Sequence, residues 1–161
     1  MPSGSWQSKS KVIKEFSGPV WRILFRSRAD ASLAPARAPE GRFHHSGQWA
    51  LYASLSAKGT GIAIRRYISA DDPPRVIQRF QISGARLLDL RGHSQVSVIW
   101  QDIRATGAVS PTWAFSNAAR KQGADGLLYS SRSRPELSHV VLFDTRPTLI
   151  EPVSPAEPWP S

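Results

Sequence analysis

The sequence predicts a single α+β domain with a mixed or antiparallel β core. Its length of 161 residues suits one domain better than two. Short apolar runs bounded by glycine and proline outnumber the helical segments. The two kinds of segment do not alternate regularly along the chain, and this favours α+β over a doubly wound α/β sheet.

Seven short runs are predicted to be strands. The first follows Gly18-Pro19, and the third and fourth lie around a predicted turn at Ser83-Gly84. Between the first two, residues 26–40 are rich in Ala, Pro, Ser and Arg and indicate an exposed loop. The predicted strands are residues 20–25, 49–54, 75–82, 85–90, 94–100, 127–131 and 139–143.

Two helices are predicted from their end signals. Ser56 can cap a helix that runs to about Tyr67. The clearer helix has Ser110 at its N-cap, a proline at its first position, and Gly123 just after its end.

The two ends of the chain are predicted to lie outside the domain, which we place at residues 18–150. Residues 1–17 are interpreted as a flexible N-terminal arm. Residues 151–161 carry four prolines, so we expect an extended or disordered tail.

Composition excludes several classes of protein. The absence of cysteine rules out disulfides, thiol catalysis and Cys-ligated metals. No run approaches the ~20 apolar residues of a membrane-spanning helix, and no secretory signal is present, so we expect a cytoplasmic protein without membrane contact. The net charge of +9 is compatible with an anionic ligand or partner, or simply with a solvated basic surface.

Three polar clusters are candidates for chemistry. Arg42, after a glycine, can fork onto a phosphate, and His44 is close to it in the chain. Tyr52 lies in a predicted strand, and Ser131 ends another. The adjacent His44 and His45 point in opposite directions on an extended segment, so no metal site is predicted.

The order of these segments resembles the RES domain family, the toxin halves of RES–Xre toxin–antitoxin operons. Six segments occur in the same order as in the family. They are an early aromatic-Arg-Ile strand, a Gly-Arg-aromatic segment, a Leu-Tyr strand, a late Gly-x-Asp-Gly, a Tyr-x-Ser-Arg segment and a closing strand. The matching segments are Trp21-Arg22-Ile23, Gly41-Arg42-Phe43, Leu51-Tyr52-Ala53-Ser54, Gly123-Ala124-Asp125-Gly126, Tyr129-Ser130-Ser131-Arg132 and Val140-Val141-Leu142-Phe143.

The resemblance implies a fold like that of ADP-ribosyltransferase toxins and an activity that consumes NAD⁺ as substrate. It assigns catalytic roles to Arg42, Tyr52 and Ser131. It places the pyrophosphate on Arg22 and Arg42, the nicotinamide riboside on Tyr52 and Ser131, and a phosphate or ribose on His44. No metal is implied.

The chain departs from the family at one position. The acid that the family carries in the helix after the tyrosine strand is Ile64 here. The pattern is most similar to the ParT branch, which implies mono-ADP-ribosylation of a host acceptor protein, with phosphoribosyl-pyrophosphate synthetase as the acceptor suggested for that branch. An NAD⁺ phosphorylase or glycohydrolase, and a catalytically impaired nucleotide-binding module, remain as alternatives.

The resemblance also implies a protein partner. The expected partner is an Xre/ParS-like antitoxin with a helix-turn-helix domain that covers the pocket. Contact with nucleic acid is expected only indirectly, through that antitoxin.

Overall fold

The computed structural model describes residues 12–160, and seven strands, three α-helices and three 3₁₀ turns lie within that range. The strands are β1 (Ile13–Phe25), β2 (Leu51–Ser54), β3 (Arg75–Asp89), β4 (Gly126–Ser130), β5 (Ser138–Leu142), β6 (Ile150–Pro152) and β7 (Glu157–Trp159). The helices are α1 (Ala57–Ile64), α2 (Trp100–Ala105) and α3 (Thr112–Lys121), and the 3₁₀ turns span Arg26–Ala31, Arg65–Tyr67 and Ser94–Val96.

The strands form one sheet that closes on itself. Its order is β1-β2-β5-β4-β3-β6, and β7 also pairs with β3. Strand β1 pairs with both β2 and β3, so the line of pairings returns to its start. Every pairing is antiparallel except that of β3 with β4. The α+β class with a mixed sheet is confirmed.

Adjacent apolar residues in the strands supply two cores, one on each face of the sheet. Leu87 packs in one core and Leu88 in the other. Val140 and Val141 divide in the same way. This follows from the two-residue period of a strand, which turns neighbouring side chains to opposite faces. The second core also contains Phe43, which anchors the loop that carries Arg42.

The predicted turn at Ser83-Gly84 is wrong, because β3 continues through it. Gly84 has a φ of +63°, and the register with β1 shifts between Phe16 and Gly18. Ser83 and Gly84 therefore form a bulge in a long strand. Glycine adopts the left-handed backbone there without a steric clash. The Gly84 N–H donates to Ser17 Oγ at 2.8 Å.

The strand predicted at 94–100 is also wrong. That segment forms the 3₁₀ turn Ser94–Val96 and the start of α2. Only Val96 is fully buried there, so the alternation of Val96 and Val98 does not mark one buried strand face. The Ser56 cap is confirmed, since its hydroxyl accepts the Gly59 N–H at 2.9 Å.

Both predicted ends differ from the structure. Strand β1 begins at Ile13, so residues 13–17 belong to the sheet, whereas residues 1–11 of the predicted arm lie outside the described residues. The tail is extended, but it is not separate from the domain. Residues 150–152 and 157–159 pair with β3 as β6 and β7.

Candidate functional site

A cavity of about 530 Å³ opens where the Gly41–His44 turn, α1, the start of α2 and the ends of β4 and β5 meet. It is lined by Arg42, His44, Tyr52 and Ser131, four of the five residues singled out from the sequence. These positions are far apart in the chain, and the closed sheet brings them together. Ile64, at the position of the family acid, also lines this cavity.

Arg22 does not line the cavity, so the structure does not bring it together with Arg42, Tyr52 and Ser131. Its Nε donates to the Tyr52 carbonyl oxygen at 2.9 Å, and its Nη1 donates to the Ser32 carbonyl oxygen. The side chain lines a separate, smaller cavity instead. The sequence places Arg22 in a strand but does not show which face of the closed sheet it occupies.

The Gly41–His44 turn is built around a close approach of its own side chains. The Gly41 N–H donates to the His44 carbonyl oxygen at 3.0 Å. A Cβ at Gly41 would lie 2.8 Å from the Tyr52 hydroxyl oxygen and closer still to the His44 ring. Contacts this short do not occur for real Cβ atoms, so the turn requires glycine.

Helix α3 fixes three consecutive carbonyl groups of this turn. Trp113 Nε1 donates to the Gly41 carbonyl oxygen at 2.8 Å, and Thr112 Oγ1 donates to that of Arg42. Arg120 Nη1 donates to the carbonyl oxygen of Phe43 at 3.0 Å. Because these partners are buried or half-buried, losing one leaves an unsatisfied polar group in the protein interior.

The Tyr52 hydroxyl is held by two hydrogen bonds. It accepts the Phe43 N–H at 2.9 Å and lies 2.7 Å from His44 Nδ1. His44 Nε2 is 2.9 Å from the Ala38 carbonyl oxygen, which can only accept, so Nε2 carries the proton. In the neutral ring, Nδ1 then accepts the Tyr52 proton.

This network changes the role predicted for His44. The residue is 3% exposed, and both ring nitrogens already have protein partners. It therefore positions Tyr52 and has no free nitrogen for a phosphate or ribose. Burial raises the pKa of Tyr52, so the phenol stays protonated at neutral pH.

Arg42 lies half-buried in the cavity wall and is only partly engaged. Its Nη1 donates to the carbonyl oxygens of Val96 and Val98, at 2.9 and 2.6 Å. Burial lowers the pKa of Arg42 from its ordinary value, but an arginine remains charged at neutral pH. Its Nε and Nη2 have no protein partner among residues 12–160. This edge of the guanidinium group can therefore donate two hydrogen bonds to an anion.

Two buried polar side chains also line the cavity, one in β5 and one just after β4. His139 is 6% exposed, and its Nδ1 lies 2.7 Å from Ser54 Oγ. Burial, with a smaller contribution from the Arg42 guanidinium, lowers the pKa of His139 to about 4. Ser131 is 3% exposed and accepts the Arg134 N–H at 3.3 Å, so its own proton remains available to a ligand.

Other lining residues are exposed, and several of them are cationic. Arg65, Arg66 and Tyr67 follow α1, and Arg132 follows β4. Tyr67 is 56% exposed and accepts a hydrogen bond from Gln101 at 2.6 Å. The side chains of Arg65 and Arg132 have no hydrogen bond or ion pair within the described range.

One carboxylate lines the cavity, and it is already neutralised. Glu40 accepts two hydrogen bonds from Arg104, at 2.9 and 3.0 Å. These bonds lower the pKa of Glu40. Across residues 12–160, no group of three or more metal-ligating side chains is present, and no helix is long and apolar enough to span a membrane.

Sequence reasoning missed several lining residues, including Tyr67, Gln101 and His139. Tyr129 and Ser131 are two residues apart, so they lie on the same face at the end of one strand. Tyr129 belongs to the Tyr129-Ser130-Ser131-Arg132 segment already identified from the sequence. No local signal marks Gln101, which directly follows the segment 94–100 that was predicted to be a strand.

Comparison with known proteins supplies the family. The model of the RES domain family matches residues 19–160. A solved structure, the M. tuberculosis MbcT-MbcA toxin-antitoxin complex, has a chain of similar fold with a TM-score of 0.65. The two share 16% sequence identity over 94% of this chain and 88% of that chain. No curated protein sequence matches.

Proposed function

The chain belongs to the RES domain family, and we propose that it is a toxin that cleaves the nicotinamide–ribose bond of NAD⁺ and transfers ADP-ribose to a host protein. The observation that carries the proposal is one cavity that contains Arg42, Tyr52 and Ser131 together. A volume of about 530 Å³ is within the range of small-molecule and cofactor sites. The wall combines a guanidinium for phosphate with apolar and aromatic side chains for rings.

Arg42 is the proposed pyrophosphate ligand. Its Nη1 donates hydrogen bonds to two carbonyl oxygens, so the plane of the guanidinium group is fixed before a ligand binds. A charge-assisted pair of hydrogen bonds from the other edge can then reach two phosphate oxygens. A preorganised donor contributes more than one that must be ordered on binding.

Tyr52 and Ser131 are the proposed contacts of the nicotinamide riboside. Breaking the C–N bond releases neutral nicotinamide and moves the positive charge to the ribose. Because charge is moved rather than created, the main contribution of the protein is to position the bond and exclude water. Ile64 supports exclusion of water but supplies no negative charge to the ribose cation. We therefore expect slower cleavage than with an acid at that position.

The open, cationic side of the cavity supports a second reactant that is a protein with an acidic surface. Arg65, Arg66 and Arg132 are exposed and attract such a surface. The ParT-like assignment, with phosphoribosyl-pyrophosphate synthetase as acceptor, belongs to this proposal. The same guanidinium groups could hold inorganic phosphate, and this favours NAD⁺ phosphorolysis as the second candidate.

An antitoxin is the proposed inhibitor. The similar structure from M. tuberculosis is a toxin-antitoxin complex, and this supports a partner of that kind here. We propose an Xre/ParS-like protein with a helix-turn-helix domain. Its acidic groups would cover the Arg65, Arg66 and Arg132 side of the cavity.

Release of nicotinamide from NAD⁺ labelled in the adenylate tests the proposal. Purified protein with cell extract should release nicotinamide and label a protein band. Arg42→Gln should reduce release by about 10²–10³, as expected for loss of one preorganised donor. Arg79→Gln, an exposed arginine on β3 away from the cavity, is the matched control and should keep wild-type activity.

The fate of the label distinguishes the alternatives. ADP-ribose 1″-phosphate would indicate phosphorolysis, and free ADP-ribose would indicate hydrolysis. Binding of NAD⁺ without release of nicotinamide would identify an impaired binding module. Equal activity of Arg42→Gln and Arg79→Gln would refute the assigned site.

A further inference from the structure

A second cavity, of about 100 Å³, lies between β1 and the 28–37 segment. Three of its lining residues are Arg22, Arg28 and Arg37, and we call it the arginine pocket. The remaining lining residues are apolar, and none is acidic. Ala36 lines both this pocket and the main cavity, so the two are neighbours.

Arg22 is fixed in the arginine pocket by uncharged partners. Its two hydrogen bonds go to the carbonyl oxygens of Tyr52 and Ser32. Burial, and then the nearby Arg28 guanidinium, lower the pKa of Arg22 to about 10. The group is still charged at neutral pH, so a half-buried positive charge lies beside a second one.

The three guanidinium groups of the arginine pocket have no carboxylate counter-ion. Within residues 12–160, Arg22, Arg28 and Arg37 form no ion pair. Buried or clustered charge is unfavourable unless an opposite charge accompanies it. The arginines that are paired with carboxylates are Arg75, Arg91, Arg104, Arg134 and Arg146.

We propose that the arginine pocket is a binding site for a phosphate-type oxyanion, separate from the NAD⁺ cavity. Guanidinium groups match the oxygens of a phosphate with paired donors. The volume suits a phosphate group and is too small for a nucleotide. No aromatic side chain lines the pocket to stack a base. The ligand class is therefore inorganic phosphate or a terminal phosphate group.

Occupation of this site would act on the main cavity through two contacts. Arg22 binds the Tyr52 carbonyl oxygen, and Ala36 lies in the shared wall. An anion bound to Arg22, Arg28 and Arg37 would hold the 28–37 segment against β1. The expected result is a more stable wall on the Tyr52 side of the NAD⁺ cavity.

Nuclear magnetic resonance of the Arg22 Nε–Hε group during titration with inorganic phosphate tests the proposal. This proton is hydrogen-bonded and half-buried, so its signal should resist exchange with water. At constant ionic strength, phosphate should shift the signal with saturation. The double variant Arg28→Gln/Arg37→Gln should weaken this response at least tenfold, since each charge-assisted bond is worth about 1.5–3 kcal/mol.

The control variant separates the two cavities. Arg132→Gln removes a cation of the main cavity and should leave the response of Arg22 unchanged. Both altered arginines in the double variant have exposed or half-exposed side chains, so that variant should fold. The proposal is overturned if phosphate does not move the Arg22 signal, if the double variant responds like wild type, or if acetate has the same effect. None of these results bears on NAD⁺ cleavage.

Discussion

Two walls of the main cavity differ in how they are held. The fixed wall comprises the Gly41–His44 turn and Tyr52, and buried or half-buried hydrogen bonds from α3 and within the turn hold it. The open wall comprises residues 64–67 and Arg132, which are exposed apart from the half-buried Ile64. Under the proposed function, the fixed wall would bind NAD⁺ and the open wall would meet the acceptor protein.

The contrast predicts that substitutions in the two walls differ in their effects on stability and activity. A change in the fixed wall leaves buried groups unpaired or overlapping, so it should reduce both stability and activity. An exposed change in the open wall should leave stability within about 0.5 kcal/mol. Variants that do not follow this division would contradict the comparison.

Gly41→Ala is expected to have the largest effect. The new Cβ would overlap the His44 ring and the Tyr52 hydroxyl, so the turn must open. We expect a loss of about 3 kcal/mol in the free energy of unfolding, as for severe overpacking, and loss of NAD⁺ cleavage. Urea unfolding and nicotinamide release measure the two effects.

Gly61→Ala is the matched control for that substitution. A Cβ there meets only Trp159, at 3.4 Å, and the residue lies within α1. Alanine is favoured over glycine in a helix by up to about 1 kcal/mol. Stability should therefore be unchanged or raised, and equal losses in the two variants would show that the turn is not specially constrained.

The pH dependence of stability should show the buried His139. In the unfolded chain this histidine takes up a proton near pH 6.5, whereas in the folded chain its pKa is about 4. The unfolded state therefore binds more protons between these values, and the free energy of unfolding falls as the pH drops from 6.5 to 4. The loss is on the order of 3 kcal/mol.

His139→Gln is the control for the pH effect. The glutamine amide can still hydrogen-bond Ser54 but does not titrate. Its stability should depend less on pH between 6.5 and 4.5, above the range in which most carboxylates titrate. The same slope in both proteins would show that His139 is not the group responsible.

A pair of tyrosines compares the two walls directly. Tyr52→Phe leaves the buried Phe43 N–H without its acceptor and should cost about 1–3 kcal/mol. Tyr67→Phe removes an exposed hydroxyl bonded to Gln101 and should cost less than about 0.5 kcal/mol. Thermal unfolding of both variants gives the comparison, and a larger loss for Tyr67→Phe would reverse it.

Ile64→Glu tests whether the open wall lacks a catalytic charge. A carboxylate at this position would face the ribose cation, and we expect nicotinamide release to rise roughly tenfold, equivalent to ~1.4 kcal/mol of electrostatic stabilisation. Ile64→Gln has a similar shape without the charge and should not increase the rate. A rate unchanged by either substitution would mean that the missing acid does not limit the reaction.

Local signals in the sequence predicted those features whose causes are local. The Ser56 cap and the Gly123 stop depend on hydrogen bonds and backbone angles within one turn. Gly84 was misread because a bulge and a turn use the same backbone angle. Only the partner strand β1 distinguishes them.

Prediction of the site was limited in the same way, because its geometry depends on contacts between residues that are distant in the sequence. Arg42, Tyr52 and Ser131 were candidates from their polar clusters, the resemblance suggested their roles, and the closed sheet brings them to one cavity. The sequence could not show that Arg22 lies outside this cavity, because the face of β1 that turns inward depends on pairing with both β2 and β3. The bonds from α3 to the turn were not foreseen, since they join residues about 70 positions apart.

The structure of the chain with NAD⁺ tests the central claim most directly. We expect the pyrophosphate within hydrogen-bond distance of Arg42, and the nicotinamide riboside between Tyr52, Ser131 and Ile64. The same experiment on Arg42→Gln should give no bound dinucleotide at equal concentration. A dinucleotide bound outside this cavity, or bound equally well by Arg42→Gln, would contradict the account.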